Sequence, residues 1–173
     1  MQVCSAHAIS QRPQACDARG VTDLDKIRSQ ATKLLTDAPP KGAEGAAMFE
    51  PRPEDYAVVF TEPVAAAMGA HFKALWAVKP AILVHEGQSE LRLWISLSEQ
   101  FVRDTPEFPG GYKALAPYLT PGKVWISWKY TRPGAAAGMA YDGLVWLDDR
   151  FAWFPKPWRV LREVLPSLGI YQE

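Results

Sequence analysis

The sequence predicts an α+β fold: a curved antiparallel sheet of about five strands packed against N-terminal helices, with one more helix at the C-terminal end. Three observations lead to it. Apolar residues recur at helical spacing between positions 21 and 77, and they alternate with a period of two in most of the stretch from 90 to 155. The links between the last strands are too short for parallel crossovers, so those strands pair antiparallel. A chain of 173 residues with 48% hydrophobic and 12% aromatic residues has material for one sizeable core.

The first convincing element is VTDLDKIRSQATKLLTD, a helix over 21–36. Thr22 with Asp25 three residues on suits a capping box, and Asp23 adds charge that favours a helix N-terminus. Leu24, Ile27, Ala31, Leu34 and Leu35 share one face, and Pro39-Pro40 ends the element. Residues 37–50 read as a linker rich in proline, glycine and small residues. Pro53 opens a short helix, Thr61 is placed to cap its continuation, and the helical region extends to 77. Phe60, Val64, Met68, Phe72 and Trp76 recur every four residues, the stripe of a helix lying on something apolar.

From Pro80 the period changes. AILVH (81–85) is a short apolar run, and ELRLWISL (90–97) alternates, with Leu91, Leu93, Ile95 and Leu97 on one face and Trp94 on the other. Residues 98–120 carry a second helical patch, in two pieces broken by Phe108–Gly111. KVWISWKYT (123–131) is the clearest strand: Val124, Ile126, Trp128 and Tyr130 face one way, Trp125, Ser127, Lys129 and Thr131 the other. Strands at 138–147 and 150–155 form a hairpin about Asp148-Asp149. The last helix begins at Pro157, with Trp158, Leu161, Leu165 and Leu168 on one side. Residues 1–20 are polar and aperiodic and read as an arm, which leaves 21–173 as a single domain.

All seven tryptophans fall within this body, so most of the aromatic residues are expected to build its interior. Simple alternation puts Met139, Tyr141, Val145 and Leu147 on one face of their strand, and Asp142, Leu144 and Trp146 on the other. Both faces are largely apolar. That pattern implies a sheet covered on both sides, or one that encloses a pocket with Asp142 as its polar member. Trp146 then shares Asp142's face, and Trp125 approaches from the neighbouring strand.

Helices first, EDYAVVFTEPVAAAMGAHFKALWA, followed by KVWISWKYT and GMAYDGLVWLDDRFAWF as long antiparallel strands, resemble the nuclear transport factor 2-like superfamily in the order of elements. The resemblance implies a cone-shaped α+β fold, commonly dimeric. Its members include isomerases, dehydratases and epoxide hydrolases, together with pocket-bearing proteins without chemistry. The C-terminal helix PWRVLREVLPSL departs from the pattern, which usually ends on a strand.

Asp142 interrupts the apolar run MAYDGLVWL. Buried there, its carboxyl would have a raised pKa and would suit a general base, with Tyr141 or His71 as companion. Equally, it would accept backbone hydrogen bonds at a bulge beside Gly143, a structural role. Lys156, Arg159 and Arg162 with Trp158 form a basic-aromatic group fit for an acidic partner, and Arg159 and Glu163 have the spacing of an i,i+4 pair. There is no Gly-x-Ser-x-Gly elbow, no glycine-rich phosphate loop and no metal-ligand spacing, so no cofactor is expected. Nineteen basic residues balance nineteen acidic ones, which argues against nucleic acid, and no apolar run reaches membrane-spanning length. No signal peptide is visible in MQVCSAHAIS, so the expected compartment is the cytoplasm, or the periplasm if Cys4 and Cys16 form a disulfide.

Two functions follow as expectations. One is a non-enzymatic binding or accessory protein, directed at a protein partner in the manner of a bacterial immunity protein or at a small apolar ligand. The other is a small pocket enzyme of isomerase, dehydratase or hydrolase type.

Overall fold

The structure is a computed structural model that describes residues 23–170. It is α+β. One antiparallel sheet runs in the order β1-β2-β3-β4, with β1 at Glu90–Leu97, β2 at Val124–Thr131, β3 at Gly138–Trp146 and β4 at Phe151–Trp153. The helices are α1 (Leu24–Asp37), α2 (Gly42–Ala47), α3 (Asp55–Val59), α4 (Val64–Ala77), α5 (Tyr112–Leu115) and α6 (Pro157–Val164). The expected N-terminal arm, Cys4 and Cys16 lie outside the described residues.

α1 is capped by Asp23, whose carboxylate accepts from the Lys26 backbone N–H at 3.0 Å; Thr22, the expected cap, lies outside the described residues. Its buried face is Ile27, Ala31 and Leu35, while Leu24 stays exposed. The region 53–77 holds two helices, broken at Phe60–Pro63. There the backbone pairs with residues 118–120 instead: Thr61 N–H donates to Tyr118 O and Thr120 N–H to Val59 O, both at 2.9 Å. Thr61 makes no side-chain cap. Its carbonyl accepts from Ala65 N–H, and Pro63 takes the cap position of α4. The stripe Phe60, Val64, Met68, Phe72 and Trp76 is buried throughout. The irregular stretch 98–118 consists of short helical turns around α5.

Four strands pair among the described residues, where about five were expected. Residues 81–85 run without a strand partner. Pro80 lacks the N–H that would begin a ladder, and the Tyr141 hydroxyl takes the neighbouring strand's place. It accepts from Leu83 N–H at 2.7 Å and donates to Leu83 O at 2.8 Å. β4 is shorter than expected, ending at Trp153, and so pairs only with Leu144–Trp146. The remainder of β3 has no strand beyond it.

β2 is the centre of the core. Its two faces are both covered, as the apolar pattern of the strands implied, and seven of its eight residues are buried. On one face Trp125 meets Phe60, Phe101 and Tyr112, with ring centroids 5.7–6.2 Å apart. Phe154 packs there edge-on against Tyr56, Phe60 and Phe72. On the other, Trp128 stacks on Tyr141 at 5.2 Å and meets Trp153 at 5.8 Å, while Tyr130 donates its hydroxyl to Leu35 O of α1. Offset and edge-to-face rings at these spacings favour one defined packing beyond their burial.

β3 carries a bulge. The register passes from Ile126↔Leu144 to Trp128↔Tyr141, so Asp142 and Gly143 together oppose Ser127. The extra residue resets the alternation. Tyr141 and Trp146 therefore fall on one face of the sheet, and Asp142 lies with Val145 and Trp125 on the other. The expectation that Trp146 shares a face with Asp142 is corrected by this single inserted residue.

Candidate functional site

A cleft of about 350 Å³ opens where the short β4 leaves the edge of β3 uncovered. Its walls are His71 and Leu75 of α4, Tyr141 and Asp142 of β3, Trp153 at the end of β4, and Lys156, Arg159, Val160 and Glu163 at α6, with Pro80 and Pro155 at the turns. Three of the sequence-predicted residues, His71, Tyr141 and Asp142, thus meet in one cavity together with Lys156 and Arg159.

Asp142 is 6% exposed. Its Oδ1 accepts from the Tyr112 hydroxyl at 3.0 Å, and its backbone carbonyl accepts from Trp153 Nε1–H at 3.0 Å. Burial raises the carboxyl's pKa above its ordinary value of 3.8; it outweighs the Tyr112 bond, the Lys156 charge, and the nearby Trp158 indole and Lys156 backbone N–H groups, all of which favour the charged form. The indole N–H of Trp158 lies near Asp142 without closing a hydrogen bond, and is a buried donor without an acceptor among the described residues. Tyr112 is fully enclosed, and burial followed by the Asp142 charge pushes its own pKa well up. It stays a neutral donor to Asp142. Asp142 therefore lines a cleft and also sits at a bulge, where its carboxylate is tied to Tyr112 of α5.

Because the folded pKa is raised, the native state holds a proton on Asp142 more tightly than the unfolded chain does. The stability this contributes is present below the ordinary value and is lost as pH rises through the folded one. Asp142→Asn keeps an acceptor for Tyr112 and carries no charge. Wild type is therefore expected to lose stability relative to Asp142→Asn between pH 4 and pH 7, measured by urea denaturation at both. A wild type that gains on the variant over that range would show that the surrounding donors outweigh burial.

The other polar groups are more committed. Tyr141's hydroxyl is occupied at Leu83, and burial raises its pKa. His71 Nδ1 lies 3.5 Å from Glu163 Oε2. Glu163 thus faces His71, while Arg159, its expected i,i+4 partner, stacks on Trp158 with the guanidinium 5.1 Å from the ring centroid. Arg162 approaches the same ring at 5.5 Å. Among the described residues no carboxylate lies within ion-pair distance of Lys156, Arg159 or Arg162. Lys156 has a left-handed backbone, φ 51°, uncommon for a residue with a side chain.

Two expected residues are elsewhere. Trp125 is wholly buried, with its Nε1–H on Ser98 Oγ at 3.1 Å and its ring against Tyr112, the donor to Asp142. Trp146 packs at a tilt against Phe151, ring centroids 4.8 Å apart, and lines a separate surface groove with Met48 and Arg150. Tyr112, Leu75, Trp153 and Val160 were missed as members of the site. Nothing local marks them, because each belongs to a different segment and only the packing joins them.

A groove of about 480 Å³ lies on the other side of α4, between Tyr56, Ala65, Ala66, Gly69 and Trp76, with exposed Glu50, Glu62 and Lys73 at its rim. It holds no buried ionisable side chain among its charged residues. A smaller polar pocket, about 260 Å³, reaches Asp142 from the opposite side past Trp94, Ser127 and Lys129. Among the described residues no cluster of three or more His, Cys, Asp or Glu could hold a metal, and no helix is long and apolar enough to cross a membrane. No protein-family model, curated protein or solved structure matches the chain.

Proposed function

We propose that this chain is a non-enzymatic binding protein that takes a small, mainly apolar ligand in the cleft between α4, α6 and the open edge of β3. The observation that carries the reading is the convergence of apolar walls (Leu75, Pro80, Trp153, Val160) on a few polar groups, including one buried acid. Concave, largely apolar sites with a few placed polar groups are the usual form of small-molecule pockets. On this reading the bulge at Asp142-Gly143 bends the sheet toward α6 and gives the cleft its concave wall. A second reading, Asp142 as general base of a small pocket enzyme, is favoured by its raised pKa and by His71 in the same cleft. Binding is preferred because Tyr112 holds one carboxylate oxygen and Leu83 holds the Tyr141 hydroxyl.

The test is a thermal-shift screen of small apolar compounds against wild type and two variants. Leu75→Trp fills the proposed cleft, and Ala66→Trp fills the groove on the other side of α4. A ligand at a hundred times its Kd stabilises by about 2.7 kcal/mol. Hits are expected to raise the Tm of wild type and Ala66→Trp but not of Leu75→Trp. Hits lost in Ala66→Trp and kept in Leu75→Trp would move the site to the other groove. Turnover of any hit, lost in Asp142→Asn, would favour the enzyme.

A further inference from the structure

We infer that the ligand of this cleft is an amphipathic anion, an apolar body ending in a single carboxylate, with Lys156 and Arg159 as the groups that recognise its charge. The inference rests on the proposed binding cleft and adds the chemical class of its ligand. Six ionisable side chains line the cavity: His71, Tyr141, Asp142, Lys156, Arg159 and Glu163, with the Tyr141 hydroxyl already bonded to Leu83. Of the two acids, Asp142 is buried with Tyr112 on one oxygen, and Glu163 faces His71. Glu163, with its side chain 65% exposed, is then the one open carboxylate of the lining.

The two long cations outnumber it. Lys156 and Arg159 are exposed at the mouth, and neither has a carboxylate within ion-pair distance among the described residues. Lys156 acts on Asp142 only from beyond that distance. Arg159 is laid against Trp158, which limits its rotamers and orients its donors before a ligand arrives. A guanidinium presents parallel N–H groups that match the two oxygens of a carboxylate. Behind these charges the wall turns apolar at Leu75, Trp153 and Val160. A ligand whose head meets Lys156 and Arg159 and whose body enters past Leu75 satisfies both ends. A cation would meet two positive charges at the entrance against the single exposed carboxylate of Glu163.

Octanoate, octanamide and octylamine share one apolar body and differ in the head, so isothermal titration of the three into the protein at neutral pH separates the contributions. Octanoate is expected to bind at least about tenfold more tightly than octanamide, the usual advantage of a charge-assisted contact. Lys156→Gln or Arg159→Gln should bring octanoate toward the amide, and added salt should weaken octanoate while leaving octanamide unchanged. Leu75→Trp should abolish both. Octylamine binding as well as octanoate, octanamide matching it, or octanoate affinity indifferent to salt would overturn the anionic class. The cleft itself would stand if the bound probe were still lost in Leu75→Trp. If none of the three probes binds wild type, or Leu75→Trp retains them, the cleft and its ligand class fall together.

Discussion

Gly143→Ala is expected to remove a large share of the protein's stability. Gly143 sits at φ 90° in the bulge of β3, a conformation that L side chains rarely adopt. A Cβ there would lie 1.9 Å from Phe154 O and 3.2 Å from Pro157 Cδ. The backbone at Phe154 has little room to withdraw, because Phe154 N–H donates to Gly143 O at 2.8 Å and its ring is packed among Tyr56, Phe60 and Phe72. Backbone strain of about 1–3 kcal/mol and overpacking of about 1–3 kcal/mol act together, against a total that for most domains is roughly 5–15 kcal/mol. The variant should melt roughly 8–16 °C lower, taking about 4 kcal/mol at the 2–4 °C per kcal/mol typical of this size, or show no cooperative transition. Gly134→Ala is the control, since Gly134 has φ 72° but no atom within 4 Å of its would-be Cβ. Equal melting of the two variants would mean that the contact with Phe154 relaxes freely and only strain matters.

Trp125→Ala is expected to have the next largest effect, about 3–5 kcal/mol by urea denaturation, the range for emptying an aromatic site in a core. Trp125 is fully buried between Phe60, Phe101, Tyr112 and Phe154, and its indole N–H is bonded to Ser98. Trp125→Phe keeps a ring and loses that bond, so a smaller loss of about 1–2 kcal/mol is expected. The contrast bears on the site as well. Were Trp125 a ligand contact, Trp125→Ala would cost under about 1 kcal/mol and weaken binding. As a core residue it should change stability without changing which probes bind.

Much of the fold was legible because its signals are local. The four-residue spacing from Val64 to Trp76 and the alternation from Val124 to Tyr130 each report one element's own geometry and fall within α4 and β2; Phe60, expected on the same helix, lies in the break before it. The hairpin at Asp148-Asp149 was likewise local: Asp148 takes φ 68° and Leu147 N–H donates to Arg150 O at 2.8 Å. The split of the region 53–77 was half visible, since Thr61 and Pro63 marked a restart. The partner that holds the break open, residues 118–120, lies far along the chain.

By itself the sequence determined the α+β class, the buried faces of α4 and β2, and the singularity of Asp142 within an apolar strand. Periodicity and composition are properties of neighbouring residues, and those suffice for such features. Only the tertiary structure decided which side of the sheet Asp142 faces, because a bulge is defined by the residue opposite it, Ser127, and alternation counted along one strand carries no record of its partner. The same holds for 81–85, where a tyrosine hydroxyl from β3 replaces a strand. It holds for the cleft too: His71, Asp142 and Arg159 meet only because β4 stops at Trp153 and lets α6 fold back against the uncovered edge.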